Sequence, residues 1–255
     1  MIFDTHAHYS DHQFDADRDA ILSGHFAQNV GTVIEVGVGR QECEDALRLS
    51  ARYPHVYTAL GFHPDHAGEL NDEVFAWLEE TARREEKVVA IGEIGLDYHW
   101  NVESHETQAH WFVRQMELAR RLDLPVSIHS REAAKDTFDL ISEYGNGIRG
   151  SMHCYAYSPE MAQEYIRRGL MIGVGGVVTF KNGRKLKETV AQIPIESILL
   201  ETDCPYLAPT PHRGERNESS YIDLIAETIA QIKGMDKEEV IEITAENAKK
   251  LFACG

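Results

Sequence analysis

Histidines and carboxylates at a few positions of this chain are spaced for metal chemistry. Phe3-Asp4-Thr5-His6-Ala7-His8 follows an apolar start, Met1-Ile2-Phe3. Strand side chains alternate faces, so His6 and His8 point the same way. Two adjacent imidazoles can chelate one divalent ion through neutral nitrogens. Further candidates are His63 in Gly61-Phe62-His63-Pro64, Glu93 and Asp97 in Gly92-Glu93-Ile94-Gly95-Leu96-Asp97, His129, Arg131, His153, and Glu201-Thr202-Asp203. Singly, each suits a loop histidine or a helix N-cap carboxylate. Jointly they are hard to explain as loop decoration, because a shared cluster without a cation carries a large desolvation penalty. The ligand arithmetic suggests two ions. His6 and His8 hold one, His129 and His153 hold another, and the two oxygens of Glu93 bridge them. Imidazole with carboxylate suits Zn²⁺, Mn²⁺, Fe²⁺ or Co²⁺, and Mg²⁺ less well.

The elements that must position these residues are short apolar runs: Met1–His6, Thr32–Val38, Val56–Phe62, Val88–Leu96, Pro125–His129, Gly150–His153, Leu170–Thr179 and Ser197–Thr202. They are Val-, Ile- and Leu-rich, as strands buried on both faces are. Amphipathic segments lie between and after them: Glu42–Tyr53, Asn71–Glu86, Glu106–Leu122, Ala133–Glu143, Pro159–Arg168, Arg184–Gln192, Tyr221–Lys233 and Lys237–Leu251. Asn71, Ser158 and Asn217 stand where N-caps are wanted, and Gly24, Gly145, Gly169 and Gly234 near helix ends. Eight β-α units predict an α/β fold, a single (β/α)8 TIM-type barrel occupying residues 1–255 as one domain. Such barrels carry functional side chains at the C-terminal strand ends, where six of the eight runs deliver His, Glu or Asp. Closure of the barrel brings Asp203 beside strand one. A doubly wound sheet is disfavoured, because no Gly-x-Gly-x-x-Gly turn follows the first strand.

Composition sets outer limits. The 255 residues are 43% hydrophobic, enough for a large core, and the net charge of −17 argues against unspecific wrapping of nucleic acid. It leaves room for a local anion site built on cations. Cys43, Cys154, Cys204 and Cys254 form no Cys-x-x-Cys and read as reduced thiols. No signal peptide is expected, because Asp4 and His6 interrupt the start, and no run approaches the roughly 20 apolar residues of a membrane span. The simplest expectation is a cytoplasmic location.

The joint motifs resemble the TatD-type metal-dependent deoxyribonucleases, within the amidohydrolase-like metal-dependent hydrolases, nearly end to end. The resemblance is carried by Phe-Asp-Thr-His-Ala-His at 3–8, Gly-Glu-Ile-Gly-Leu-Asp-Tyr at 92–98, Pro-Val-Ser-Ile-His-Ser-Arg at 125–131 and Ile-Leu-Leu-Glu-Thr-Asp-Cys-Pro at 198–205. Gly-Val-Val-Thr-Phe-Lys-Asn at 176–182 and His-Arg-Gly-Glu-Arg-Asn at 212–217 are also similar. The resemblance implies metal ligands at His6, His8, Glu93, His129, His153 and Asp203, two divalent ions (Mg²⁺, Mn²⁺ or Zn²⁺) and hydrolysis of DNA, in several members as 3′-to-5′ exonucleases. Tyr9 and Ser10 after the histidine pair, His99 and Trp100 after Asp97-Tyr98, and Tyr155-Ala156-Tyr157 after His153-Cys154 depart from the family pattern. These departures are expected on the substrate rim.

A phosphodiester also needs cations and donors. Lys181, Arg184, Lys185 and Lys187 follow run seven, and His212, Arg213 and Arg216 follow run eight, where barrels commonly bind phosphate. Lys181, His212 and Arg213, with His63 and Arg131, are the expected substrate contacts. Tyr9, Tyr98, Trp100, Tyr155, Tyr157 and Tyr206 are candidate stacking faces for unpaired bases. The expected reaction is hydrolysis of DNA ends or single strands by metal-activated water, with Glu93 and Asp203 as catalytic carboxylates and Asp203 taking the proton. Glu201 is expected to orient a ligand. The rival expectation is the same chemistry on a small phosphoester, lactone, amide or mis-acylated tRNA.

Overall fold

The computed structural model describes residues 1–255. Its strands are β1 (Ile2–Ala7), β2 (Val30–Val36), β3 (Val56–Leu60), β4 (Val88–Asp97), β5 (Val126–Arg131), β6 (Gly150–Met152), β7 (Leu170–Val174) and β8 (Ile198–Leu200). The helices are α1 (Arg18–Phe26), α2 (Arg40–Arg52), α3 (Asp72–Arg84), α4 (His105–Leu122), α5 (Ala134–Tyr144), α6 (Pro159–Arg167), α7 (Arg184–Gln192), α8 (Ile222–Lys233) and α9 (Lys237–Phe252). All strands are parallel and each pairs with the next in chain order. Beyond β8 the backbone meets β1: Asp203 N–H donates to His6 O at 2.9 Å and His8 N–H to Cys204 O at 2.9 Å. The sheet is therefore a nearly closed (β/α)8 barrel.

Every residue of β1 and β4 is buried, which is why these runs lack a polar alternation. The helices start where side chains can satisfy free amides. Asn71 accepts from Glu73 N and Val74 N at α3, and Ser158 caps α6 with Pro159 following. Gly234, at φ 67°, ends α8 in the left-handed region. The ninth helix has its own task. Ala245, Ala248, Leu251 and Phe252 of α9 pack with Phe3, Ala59, Val89 and Leu199 from four strands. This plugs the barrel at the end opposite the histidines. No helix is long and apolar enough to cross a membrane.

Some expected boundaries fail for identifiable reasons. The run Leu170–Thr179 is a strand only to Val174, and Gly176–Thr179 forms a 3-10 turn. Here the backbone passes so close to Leu207 O that a Cβ on Gly176 would collide with it. Asn217 caps no helix. It is buried, and its Nδ2 donates to Thr202 O at 2.9 Å and Tyr206 O at 2.8 Å, pinning the loop after β8. Gly24 lies near the end of α1 as expected, two residues inside its last residue, Phe26.

Candidate active site

The C-terminal strand ends converge His6, His8, Glu93, His129, His153 and Asp203. His6 Nε2 lies 3.2 Å from His8 Nε2 and 3.5 Å from Glu93 Oε2. His8 Nε2 lies 3.4 Å from Asp203 Oδ1. Tetrahedral ligand atoms at zinc-type bond lengths stand about 3.3 Å apart, close to these spacings, and two compact three-donor groups share His6: His6, His8 and Asp203, and His6, Glu93 and His153. On the other side Glu93 Oε1 is 2.9 Å from His129 Nδ1 and 3.8 Å from His153 Nε2. The two oxygens of Glu93 thus face two different donor sets. His153 Nε2 is also 3.6 Å from Asp203 Oδ1, and its ring stacks on His6 with centroids 3.4 Å apart.

The outer ring nitrogens of His6, His8 and His129 are hydrogen-bonded from behind, and that of His153 faces a carboxylate. His8 Nδ1 donates to Val36 O at 3.0 Å, and His6 Nδ1 meets Ser127 Oγ at 3.1 Å. His129 Nε2 donates to Asp97 Oδ2 at 2.9 Å, and His153 Nδ1 stands 3.1 Å from Glu201 Oε1. In neutral His129 the proton is then on Nε2, and the Nδ1 lone pair points at a carboxylate oxygen 2.9 Å away. Two lone pairs aimed at each other call for a cation between them, and imidazoles backed by carbonyl or carboxylate are the usual arrangement around bound metal. The donor set fits divalent ions.

Electrostatics agree. Burial alone lowers an imidazole pKa. At His8 the Asp203 carboxylate outweighs burial and raises it to about 9. At His129, Asp97 and Glu93 outweigh burial and raise it to about 9; at His153, Glu201 and Asp203 do the same. Against their own burial, Glu93 is held well below the usual carboxylate range by His6, His129 and His153, and Asp203 is lowered by His153 and His8. The cluster is built for added positive charge.

Small residues make room for it. Gly95, at φ 146°, runs so close to β5 that a Cβ would strike His129 O. A Cβ on Gly173 would occupy the space of the Glu201 carboxylate, which accepts from Cys154 N at 2.6 Å while facing His153.

Sequence reasoning passed over several supporting residues. Asp97 was in view without a role. It lies four residues after Glu93 on β4, so both share one face. Ser127, two residues before His129 on β5, likewise shares its face. Glu35 is fully buried in β2 and accepts from Tyr9 N and Ser10 N, each at 2.8 Å. The signal was a lone charge inside Val33-Ile34-Glu35-Val36. Asp4 is buried too. It accepts from Thr202 Oγ1 and Ser219 Oγ, both at 2.7 Å, and burial raises its pKa to about 7.

The expected rim residues divide. His63 is nearly buried beside His129, with ring centroids 4.4 Å apart, and burial lowers its pKa to about 3. Arg131 is exposed, its guanidinium 5.4 Å from the Trp100 ring centroid. Lys181 is exposed in the loop after β7. His212 stacks on Tyr221 and meets Glu215 at 2.8 Å, while Arg213 covers the Phe180 ring. Tyr9 is no stacking face: it is fully buried, with its hydroxyl 2.8 Å from Ser219 Oγ. Tyr155 is buried as well, donating to Ser158 O at 2.6 Å, so these two departures from the family pattern are packing changes.

Comparison with known proteins agrees with this geometry. The family model described as TatD related DNase matches residues 3–253. YabD of Bacillus subtilis strain 168, an uncharacterized metal-dependent hydrolase, is 43% identical over 253 residues, 99% of each chain. The 3′-5′ ssDNA/RNA exonuclease TatD of Escherichia fergusonii is 35% identical over 257 residues, 98% of each chain. The crystal structure of YjjV, a TatD homologue from Escherichia coli K12, superposes with a TM-score of 0.93 at 29% identity, covering 100% of this chain and 98% of that one. With its donor cluster at the barrel mouth and this likeness along its whole length, the chain belongs to the TatD family of metal-dependent hydrolases acting on ester bonds.

Proposed function

We propose that this protein is a 3′-to-5′ exonuclease for single-stranded DNA ends that works with two divalent ions, Mg²⁺, Mn²⁺ or Zn²⁺. The observation that carries the reading is the carboxylate of Glu93, with Oε2 toward His6 and Oε1 toward His129 and His153. His6, His8, Glu93 and Asp203 would hold one ion, and Glu93, His129 and His153 the other. When bound, a pair of divalent ions supplies Lewis acidity and a lowered pKa for coordinated water, the chemistry phosphodiester hydrolysis requires. The relative from E. fergusonii carries this activity in its name.

The chain's own groups divide the remaining work. The Asp203 side chain is 19% exposed while that of Glu93 is 5% exposed, so Asp203 is the carboxylate open to the mouth. Kept ionised by His153 and His8, it accepts the proton of the attacking water. Glu93 is enclosed and stays a fixed negative charge. Arg131, on the strand that carries His129, meets the phosphate, and His63 beside His129 lines its approach. Asp97 holds His129 in the tautomer that leaves the inward nitrogen free, and the Glu201 carboxylate 3.1 Å from His153 Nδ1 favours a proton on that outer nitrogen.

The test uses single-stranded DNA labelled at one end or the other, with Mn²⁺ or Mg²⁺ and with EDTA. A 5′-labelled strand should shorten by single nucleotides, and a 3′-labelled strand should release its label in the first step, both only with metal. Turnover of a small ester or phosphoester without shortening of DNA would overturn the nuclease reading and retain the hydrolase.

A further inference from the structure

Two aromatic rings are largely exposed in the loops after β4 and β8, on opposite sides of the barrel by strand order. Trp100 is 62% exposed in the loop after β4, and Tyr206 is 51% exposed in the loop after β8. Strands four and eight are half a turn apart in an eight-stranded barrel. The other aromatic candidates are occupied: Tyr9 and Tyr155 are buried, Tyr157 donates to Ser130 O at 2.9 Å, and Tyr98 stacks on His105 with centroids 3.5 Å apart.

Both exposed rings are mounted rigidly on the catalytic frame. Trp100 N–H donates to Asp97 Oδ1 at 3.0 Å, while Oδ2 of the same carboxylate holds His129. Arg131, two residues beyond His129, sets its guanidinium over the indole. Tyr206 N–H donates to Asp203 O at 2.9 Å, its carbonyl accepts from Asn217, and its hydroxyl donates to Asp11 Oδ2 at 3.0 Å. Its tip is tied down and its face is free. Val102, 60% exposed, and Leu207, 38% exposed, extend the apolar surface beside each ring.

We infer that Trp100 and Tyr206 are stacking platforms for unpaired nucleobases, gripping a single strand on both sides of the cleavage site. This rests on the nuclease reading above and deepens it by naming the side chains that grip the single strand. A π-face accepts any base, so the grip is indifferent to sequence, and a base inside a duplex cannot reach it. On a protein of net charge −17, stacking supplies affinity that the overall field does not. Arg131 adds a cation at one platform, placed to meet the adjacent phosphate.

The experiment compares wild type, W100A, Y206A and the double variant on a dT oligonucleotide, a blunt duplex and bis(p-nitrophenyl) phosphate, which lacks bases. Base stacking predicts that the oligonucleotide KM rises about 5- to 100-fold per ring with kcat nearly retained, since the contact is equal in ground and transition states. The ratio of kcat/KM for oligonucleotide to that for the diester should fall by the same factor, and single-strand preference over blunt duplex should shrink. W100F and Y206F should restore most of the loss. An unchanged oligonucleotide KM in the double variant, or an equal loss on all three substrates, overturns the inference; the first outcome would leave the rings as a docking surface for another protein. If wild type hydrolyses the diester and no oligonucleotide, the nuclease reading fails and takes the inference with it.

Discussion

Replacing Glu93 by Gln is the sharpest test of the centre, because shape is kept while one charge and one lone-pair face are lost. In the proposed centre Glu93 is one of four donors at the first position, beside His6, His8 and Asp203. It is one of three at the second, beside His129 and His153, and the one carboxylate within 4 Å of both those imidazoles. The first position therefore keeps a carboxylate, two imidazoles and a neutral amide oxygen. The second keeps two imidazoles, with Asp203 Oδ1, 3.6 Å from His153 Nε2, as its one remaining inward carboxylate. Displacing even a residue that merely orients a ligand costs about 10- to 100-fold in metal affinity, so losing the anionic ligand should cost at least about 100-fold, or about 2.7 kcal/mol. The second position should empty first. Elemental analysis after dialysis against micromolar metal should count two ions in wild type and about one in the variant. Calorimetric titration should show the tighter class of sites weakened and the other absent. D203N should also drop the count to about one, by the opposite route, because Glu93, His129 and His153 remain intact. Two ions bound to E93Q with wild-type affinity would refute the bridging assignment.

Other outcomes follow from the same contacts. D97N leaves His129 without its carboxylate partner and should weaken metal binding about 10- to 100-fold in a competition titration with a chromogenic chelator. Y9F deletes the buried hydroxyl that accepts from Ser219 N at 2.8 Å, and should destabilise the fold by about 1–3 kcal/mol in urea unfolding, with metal stoichiometry unaltered. In the metal-free protein, His8, His129 and His153 titrate near 9 instead of the free value of 6.5. Their pKa values are raised by folding, so their contribution to stability is full below pH 6.5 and lost as pH rises through 9. The melting temperature of EDTA-treated protein should therefore fall across pH 6.5–9, and saturating Zn²⁺ or Mn²⁺ should flatten that slope. An apoprotein curve that rises across the window would contradict the charge balance described here.

The sequence by itself determined the candidate residues for the chemistry and the order in which strands bring them together. Parallel strands buried on both faces leave continuous Val, Ile and Leu runs, so eight units were legible, and the rule that barrels work at C-terminal strand ends picked out His6, His8, Glu93, His129, His153 and Asp203. Boundaries were read less well where long-range packing sets them, as at Gly176 against Leu207, or at Asn217, whose side chain serves two carbonyls of the loop after β8 in place of a helix end. Only the tertiary structure decided what each ligand's far side touches. Asp97 behind His129, Ser127 behind His6 and Glu201 behind His153 are contacts across neighbouring strands or between loops, and their register is invisible in a local pattern. The aromatic rim separated for the same reason. A tyrosine reads alike in sequence whether buried as Tyr9 or open as Tyr206, because exposure depends on which distant segment lies against the ring.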